Sequence, residues 1–260
     1  MPALSDPAHA HGDLERTPLL PNTQRPAEES TMAPSSSTSD RADALPLIAR
    51  SSFTGPAALL AQAGLLLATL TLWRVLYTHP AGLFTYHPGL QSIAVLGFLE
   101  GILLLQPQPP TAAHKRKGLQ LHQVLQYSSL VAIVAGAAFI VYNKAIHGAK
   151  HIQTWHATFG LITLALIALQ ITFGALVVYS PLQRWVGDEG KAKALWKYHR
   201  MSGYATLLFL IATPLLALWS DWLVGNSSRL ERGLIGAGLV LAGVGAFARV
   251  QTSKLGLKRS

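Results

Sequence analysis

The chain has 260 residues, of which 50% are hydrophobic and only 13% charged, and its mean hydropathy is +0.32. A soluble domain of this length would seldom combine these values, so the composition indicates a membrane protein. The absence of cysteine excludes disulfides, thiolate metal sites and the Cys-x-x-Cys-His attachment of a covalent haem. The net charge of +9 favours anionic lipid and small anions as partners over nucleic acid, because no basic stretch carries interleaved aromatic residues.

Residues 1–50 are rich in Pro, Ser, Thr, Asp and Glu, which predicts a disordered N-terminal tail. No basic cluster followed by a short apolar run and a cleavage site is visible, so we predict no signal peptide. Within the tail, residues 15–20 fit an acidic dileucine pattern, in which Glu15 is followed after three positions by Leu19 and Leu20. Sorting adaptors read such patterns as extended peptides, which predicts a vacuolar, lysosomal or late endosomal membrane.

Six apolar segments follow, each close to the roughly 20 residues that cross a hydrocarbon core of about 30 Å. They are apolar all round, whereas the strands of a spanning barrel would alternate apolar and polar positions. We therefore predict an all-α membrane protein, with a six-helix transmembrane domain at 51–250 and a short basic tail at 251–260. The segments lie at 56–77, 88–106, 119–142, 153–179, 197–219 and 232–250.

Basic residues are concentrated in the connections after the second and fourth segments and beyond the sixth. The first of these groups consists of Lys115, Arg116 and Lys117. Because Lys and Arg accumulate on the cytosolic side of membrane proteins, this distribution predicts that these connections and both termini are cytosolic.

Each of the second to fifth segments has a histidine at its start or within about one turn of it. Ionisable side chains at membrane depth tend to mark a function, and neutral imidazole is a preferred ligand of iron, copper and zinc. Because successive segments cross in opposite directions, two of these histidines lie near the cytosolic surface and two near the other surface. Two such layers, roughly 20 Å apart, suit two six-coordinate haem irons that shuttle electrons. The cytosolic pair is His122 and His199, and the opposite pair is His87 and His156.

Two of these histidines are followed one turn later by a glycine, at Gly160 and Gly203, where a missing Cβ would leave room for a flat cofactor. The alternative for any single histidine is an imidazole that simply sits in the membrane interface. Glu100, inside the second segment, either moves protons or pairs with a polar group of the bundle. A histidine-dependent metal or proton transporter is the alternative function, although no helix shows ligands spaced as zinc sites require.

Four short motifs occur together: Tyr86-His87-Pro88, Lys117 five residues before His122, Thr154-Trp155-His156 with Gly160, and Tyr198-His199 with Gly203. No one of these motifs is specific to a family. Together they resemble the cytochrome b561 family, specifically its compact single-domain members, over about residues 50–250.

The resemblance implies a homodimeric six-helix fold, in which helices two to five form a four-helix core around two non-covalent b-type haems held by the four histidines. It also implies an ascorbate-dependent transmembrane oxidoreductase, which passes electrons from cytosolic ascorbate to monodehydroascorbate or a ferric chelate on the lumenal or extracellular side. The ascorbate site is expected at Lys117, with Lys115 and Arg116 beside it. Many relatives have a histidine in the loop after helix three, where this chain has Asn143 and Lys144, so the acceptor stays open.

Overall fold

The structure, a computed structural model, describes residues 54–179 and 189–250, with side chains in the second range from residue 194 onward. Within those ranges the chain forms helices and no strand, and six of the helices are long and apolar enough to cross a membrane. This confirms the predicted all-α six-helix bundle. The spanning helices are α1 (Pro56–Thr78), α2 (Tyr86–Leu104), α3 (Ala112–Ile146), α4 (Trp155–Tyr179), α5 (Glu189–Ala217) and α7 (Arg229–Ala248).

Short elements connect some of these helices. A 3-10 turn at Gly82–Thr85 leads into α2, and the six-residue helix α6 (Asp221–Asn226) precedes α7. The start of α7 has a capping box, in which the Ser228 hydroxyl accepts from the Glu231 N–H at 3.1 Å and the Glu231 carboxylate accepts from the Ser228 N–H at 2.8 Å. Because the first N–H groups of a helix lack partners within it, this reciprocal pair fixes where α7 begins.

Helix α3 begins seven residues before the predicted segment at 119–142. Thr111 caps it by accepting a hydrogen bond from the His114 N–H at 3.2 Å. The basic stretch 115–117 therefore lies on the first turns of α3, so its predicted placement in a loop was wrong. Lys and Arg are good helix formers, and a capped helix can continue beyond the hydrocarbon core, where hydropathy no longer marks it.

The six spanning helices pack mainly as three pairs: α1 with α7, α2 with α3, and α4 with α5. The α1/α7 contact is the closest, because small residues let the two backbones touch. A Cβ built on Gly238 would lie 2.6 Å from the carbonyl oxygen of Gly64, and one on Gly245 would lie 2.5 Å from the Ala61 nitrogen. Side chains larger than hydrogen are therefore excluded at these two positions.

One buried apolar cluster joins the α2/α3 pair to the α4/α5 pair. Each of the four helices contributes to it, through Leu99, Ile133, Ile167 and Leu207. These residues lie at different heights, since Leu99 is twelve positions after His87 on α2 and Ile133 is eleven positions after His122 on α3, which runs in the opposite direction. The cluster therefore extends between the two levels at which the four histidines lie.

Candidate functional site

The first histidine pair lies where α2 and α4 begin. The ring centroids of His87 and His156 are 6.1 Å apart. The Nδ1 atom of His87 lies 2.9 Å from the carbonyl oxygen of Gly136, and that of His156 lies 2.9 Å from the carbonyl oxygen of Thr213. Because a carbonyl can only accept, each Nδ1 carries a proton and donates it, so Nε2 is the ring nitrogen that remains to bind a metal when the ring is neutral. This is the form in which histidine binds a metal through Nε2.

The second histidine pair lies nearer the starts of α3 and α5. His122 donates from Nδ1 to the carbonyl oxygen of Gly101 at 2.8 Å. His199 lies close enough to His122 for the two rings to interact electrostatically, and its own ring contacts those of Phe173 and Trp196, with centroids 5.9 and 6.0 Å away. The structure thus brings the rings of His87 and His156 into contact, and it places His122 and His199 on helices that start at the other side of the bundle.

The carbonyls that accept from these rings follow a regular register. Each acceptor lies on a helix that has its own histidine. The acceptor comes fourteen residues after that histidine in the sequence. Fourteen residues make about four turns and about 21 Å of helix. The two histidine levels are therefore about 21 Å apart along α2, α3 and α5. The sequence-based expectation of roughly 20 Å agrees with this spacing. The histidine and acceptor positions are His87 and Gly101 on α2, His122 and Gly136 on α3, and His199 and Thr213 on α5.

Two of these acceptors are glycines at points where α2 and α3 approach closely. A Cβ on Gly101 would lie 2.6 Å from the Nε2 atom of Gln126, and one on Gly136 would lie 3.0 Å from the Nε2 atom of Gln91. Without a Cβ, each helix comes near enough for an imidazole of its neighbour to reach the main chain. The glycines therefore help to fix the tautomers of His87 and His122.

The two glycines that were expected to make room for a cofactor have different surroundings. A Cβ on Gly160 would meet its nearest neighbour, the Cγ2 atom of Thr213, only at 3.8 Å, so space remains beside His156. A Cβ on Gly203 would lie 2.9 Å from the Nε2 atom of Gln170. The room at Gly203 is thus filled by a polar side chain of α4.

The first pair has the spacing of two axial ligands on one metal. A bond from metal to imidazole nitrogen is about 2 Å and the nitrogen lies roughly 1 Å from the ring centroid, so two axial rings have centroids about 6 Å apart. The observed 6.1 Å matches this value. In the described part of the chain no three His, Cys, Asp or Glu side chains form a metal cluster. His87 and His156 would hold a haem iron through their Nε2 atoms, so the residues present fit haem.

Glu100 is paired within the bundle. Its Oε2 atom accepts a hydrogen bond from the Nε2 atom of Gln62 at 2.9 Å, and its carboxylate interacts electrostatically with Arg249 just beyond α7. Of the two roles expected for Glu100, the structure shows the pairing with polar groups. Its part in proton movement stays a prediction.

The basic residues expected to bind ascorbate lie at the α3 start, on the same side of the bundle as the second histidine pair. Lys115 and Lys117 are half-buried and Arg116 is exposed. Lys117 lies five residues before His122, about 7.5 Å along the helix. The binding of an anion by its ammonium group stays a prediction.

The opposite end of α3 carries a second cation near a histidine. The ammonium group of Lys144 donates to the carbonyl oxygen of Lys150 at 3.0 Å and interacts electrostatically with His87. Lys144 lies in the last turn of α3, and not in the following loop where relatives of the resembled family carry a histidine. This end of the bundle thus presents positive charge beside the first histidine pair.

Comparison with known proteins supports a single family. The model of the family described as eukaryotic cytochrome b561 matches residues 86–223, more than half of the chain and a range that includes all four histidines. Transmembrane reductase CYB561D2 of Bos taurus is 31% identical over 62% of this chain and 73% of its own length. CYB561D2 of Homo sapiens is 29% identical over 64% of this chain and 75% of its own length. The probable transmembrane reductase CYB561D1 of Mus musculus is 27% identical over 58% of this chain and 66% of its own length.

Proposed function

This chain belongs to the cytochrome b561 family, and from that premise we propose that it passes electrons from cytosolic ascorbate through two b-type haems to an acceptor across the membrane. Its family and its six apolar helices make it a multi-pass membrane oxidoreductase with a transmembrane electron-transfer function. The observation that carries the finer proposal is the 6.1 Å separation of the His87 and His156 rings. At this separation the two imidazoles would hold one haem iron between them.

In this proposal each histidine pair holds one haem, and the protein fixes the ligand tautomer. When bound, a haem with two axial imidazoles supplies a one-electron carrier without an open ligand position. The carbonyls of Gly136, Thr213 and Gly101 accept from Nδ1 of their histidines and so present Nε2 as the ligand. The buried apolar cluster that includes Leu99 lies between the two levels.

The direction of transfer follows from the distribution of basic residues. We assign the end with Lys117 to the cytosol, so that both termini are cytosolic and the His122/His199 pair is next to ascorbate. Lys117, assisted by Lys115 and Arg116, attracts the ascorbate monoanion. On the other side the acceptor is monodehydroascorbate or a ferric chelate, and Lys144 supplies positive charge there. We further propose that the protein is a homodimer, as the family resemblance implies.

Electron transfer across a sealed membrane tests this function. Purified protein is reconstituted into vesicles that are loaded with ascorbate, and a membrane-impermeant ferric chelate is added outside. We expect ferrous product to form outside at a rate that increases with protein content and is absent from protein-free vesicles. No product outside, from protein that contains haem, would contradict the proposed reaction.

The donor site can be tested at a single residue. We expect Lys117→Ala to slow reduction of the protein by ascorbate about fivefold. The variant loses the attraction between one positive and one negative charge, which is about 1 kcal/mol, and this energy corresponds to about a fivefold change in rate. The wild-type rate should also fall as salt is raised, since screening weakens attraction of an anion. Stopped-flow reduction by ascorbate at two ionic strengths measures both effects.

Two comparisons control the Lys117 result. Reduction by dithionite should proceed in Lys117→Ala as in the wild type, because the haem itself is untouched. Lys150→Ala removes the same charge from an exposed position at the other end of the bundle and should leave the ascorbate rate near the wild-type value. An ascorbate rate that is equal in Lys117→Ala and wild type would reject Lys117 as part of the donor site.

The proposed subcellular localisation depends on the N-terminal tail, residues 1–50. The dileucine pattern at residues 15–20 lies outside the described residues, and we propose that it directs the protein to a vacuolar, lysosomal or late endosomal membrane. Replacing Leu19 and Leu20 together by Ala removes the apolar side chains that an adaptor pocket would bind. We expect the tagged variant to move to another membrane, as seen by fluorescence imaging with organelle markers. If the variant reached the same membrane as the wild type, the dileucine pattern would not be the sorting signal.

A further inference from the structure

Two aromatic side chains from short connecting elements lie beside the first histidine pair. The ring centroid of Phe84, in the 3-10 turn before α2, is 6.3 Å from that of His87. The ring centroid of Trp222, in α6, is 5.2 Å from that of Phe84. Both separations lie within the range of packed aromatic pairs. The three rings therefore form a continuous row that leads from α6 to His87.

The turn that carries Phe84 has a defined backbone. Gly82 has a φ of +56°, in the left-handed region that residues with a Cβ avoid. The Phe84 N–H donates to the carbonyl oxygen of Ala81 at 3.2 Å, and the Ala81 N–H donates to the Thr85 hydroxyl at 2.8 Å. These hydrogen bonds close the turn and place Phe84 three residues before His87.

The outer helices α1 and α7 hold the short helix that carries Trp222. Leu223, which is 5% exposed, is buried in an apolar cluster with residues of α1 and α7, and Trp222 packs against the same cluster. The guanidinium group of Arg232, on α7, donates to the carbonyl oxygens of Val224 at 3.2 Å and Ser227 at 2.9 Å. Since a six-residue helix is not stable by itself, these contacts to the outer pair keep Trp222 in place.

The first histidine pair lies close to the surface of the bundle. Tyr86 and Trp155 directly precede His87 and His156 in the sequence, and their side chains are 54% and 73% exposed. Water at this end of the bundle is therefore only about one residue away from each histidine. A haem held here depends on neighbouring apolar side chains for its separation from water.

We propose that Phe84 and Trp222 form an aromatic cover, which keeps water from the His87/His156 centre and thereby raises its midpoint potential. This inference rests on the proposed function, because it assumes that these two histidines hold a haem. Water stabilises the ferric state, which carries one more positive charge than the ferrous state, so apolar side chains that exclude water favour the ferrous state. The outer helices α1 and α7, which have none of the four histidines, thus act on this centre by placing Trp222.

Substitutions in the aromatic cover test this role. We expect Trp222→Ala to favour the ferric state of the His87/His156 centre about tenfold, which corresponds to a midpoint potential about 59 mV lower for one electron. Phe84→Ala removes the ring next to His87 and should lower the potential at least as much. Trp222→Phe keeps an aromatic ring against Phe84 and should stay near the wild-type potential.

Two measurements on purified full-length protein report the effect. A redox titration gives the midpoint potential of each centre, and the centre concerned is the step that His87→Ala removes. Electron spin echo modulation of the ferric protein in deuterated water detects exchangeable deuterium near the iron. The deuterium signal of this centre should increase in Trp222→Ala and Phe84→Ala, because water takes the place of the missing ring.

The controls come from the same chain. Trp219 lies three residues before Trp222 and is 74% exposed, so Trp219→Ala should leave both potentials and the deuterium signal unchanged. The His122/His199 centre should keep its potential in every variant. The double variant with Phe84→Ala and Trp222→Ala should shift the potential no further than Phe84→Ala alone, because both rings belong to one cover.

The outcomes distinguish this inference from the proposed function. Wild-type protein without haem would overturn the function itself. Wild-type protein with two haems, together with Trp222→Ala and Phe84→Ala variants that keep the wild-type potential and deuterium signal, would overturn only the aromatic cover. An equal fall in Trp222→Phe and Trp222→Ala, or an equal fall at both centres, would also contradict it. If Trp222→Ala does not fold, Phe84→Leu, which keeps a smaller apolar side chain, must show the lower potential at the same centre.

Discussion

Replacing His87 or His156 by Ala is expected to remove one haem, and replacing His122 or His199 by Ala is expected to remove the other. Each single variant should therefore fall from two haems per chain to one. The physical reason is that in the proposed arrangement two imidazoles from facing helices would hold each iron, so the loss of either would leave one protein ligand. Haem assay combined with a stepwise redox titration reports which centre is lost.

The double variants make this pairing test sharper. His87→Ala with His156→Ala should resemble either single variant, because both changes affect one centre. His87→Ala with His122→Ala should lose both haems. His151→Ala, an exposed position outside the helices, serves as the control and should keep two. If His87→Ala and His122→Ala eliminated the same redox step, the proposed pairing would be wrong.

The second large effect is expected at the contact between α1 and α7. A Cβ on Gly238 would lie 2.6 Å from the Gly64 oxygen and 2.7 Å from the Ala68 nitrogen, which are backbone atoms that cannot rotate away. We expect Gly238→Ala to destabilise the protein by about 1–3 kcal/mol, the usual cost of forcing an additional group into a packed contact. Thermal unfolding in detergent measures this loss of stability. The readout is the fraction of protein that stays monodisperse as the temperature is raised.

A glycine on the same helix provides the matched control. A Cβ on Gly233 would meet nothing within 4 Å, so Gly233→Ala should be neutral or stabilise α7 by up to about 1 kcal/mol through helix propensity. The haem content of the folded fraction should be the same in both variants, since neither residue lies on α2 to α5. Equal thermal stability of the two variants would show that α1 and α7 are not packed backbone to backbone.

The number of spanning helices could be predicted from sequence because length and hydropathy decide which segments enter a hydrocarbon core. The extent of α3 could not. Its first turns contain Lys115, Arg116 and Lys117, which are polar and give no hydropathy signal although they favour helix. The short helix α6 was missed because its six residues are too few to show a helical periodicity.

The relative placement of the four histidines was also predictable, because alternating crossing directions fix which helix starts share a surface. Their orientation was not. Main-chain oxygens hold three of the rings, and a carbonyl belongs to every residue, so no residue type marks an acceptor such as Thr213. The assignment of the histidines as haem ligands stays a prediction.

Haem stoichiometry tests whether this chain holds two haems on four histidines. Full-length protein is purified in detergent, its haem is extracted into acid acetone and counted per chain, and a dithionite-reduced difference spectrum is recorded. We predict two non-covalent b-type haems per chain, reduced in two resolved steps. A chain with no haem bands, as a metal or proton transporter would give, or a folded chain with only one haem, would contradict this account.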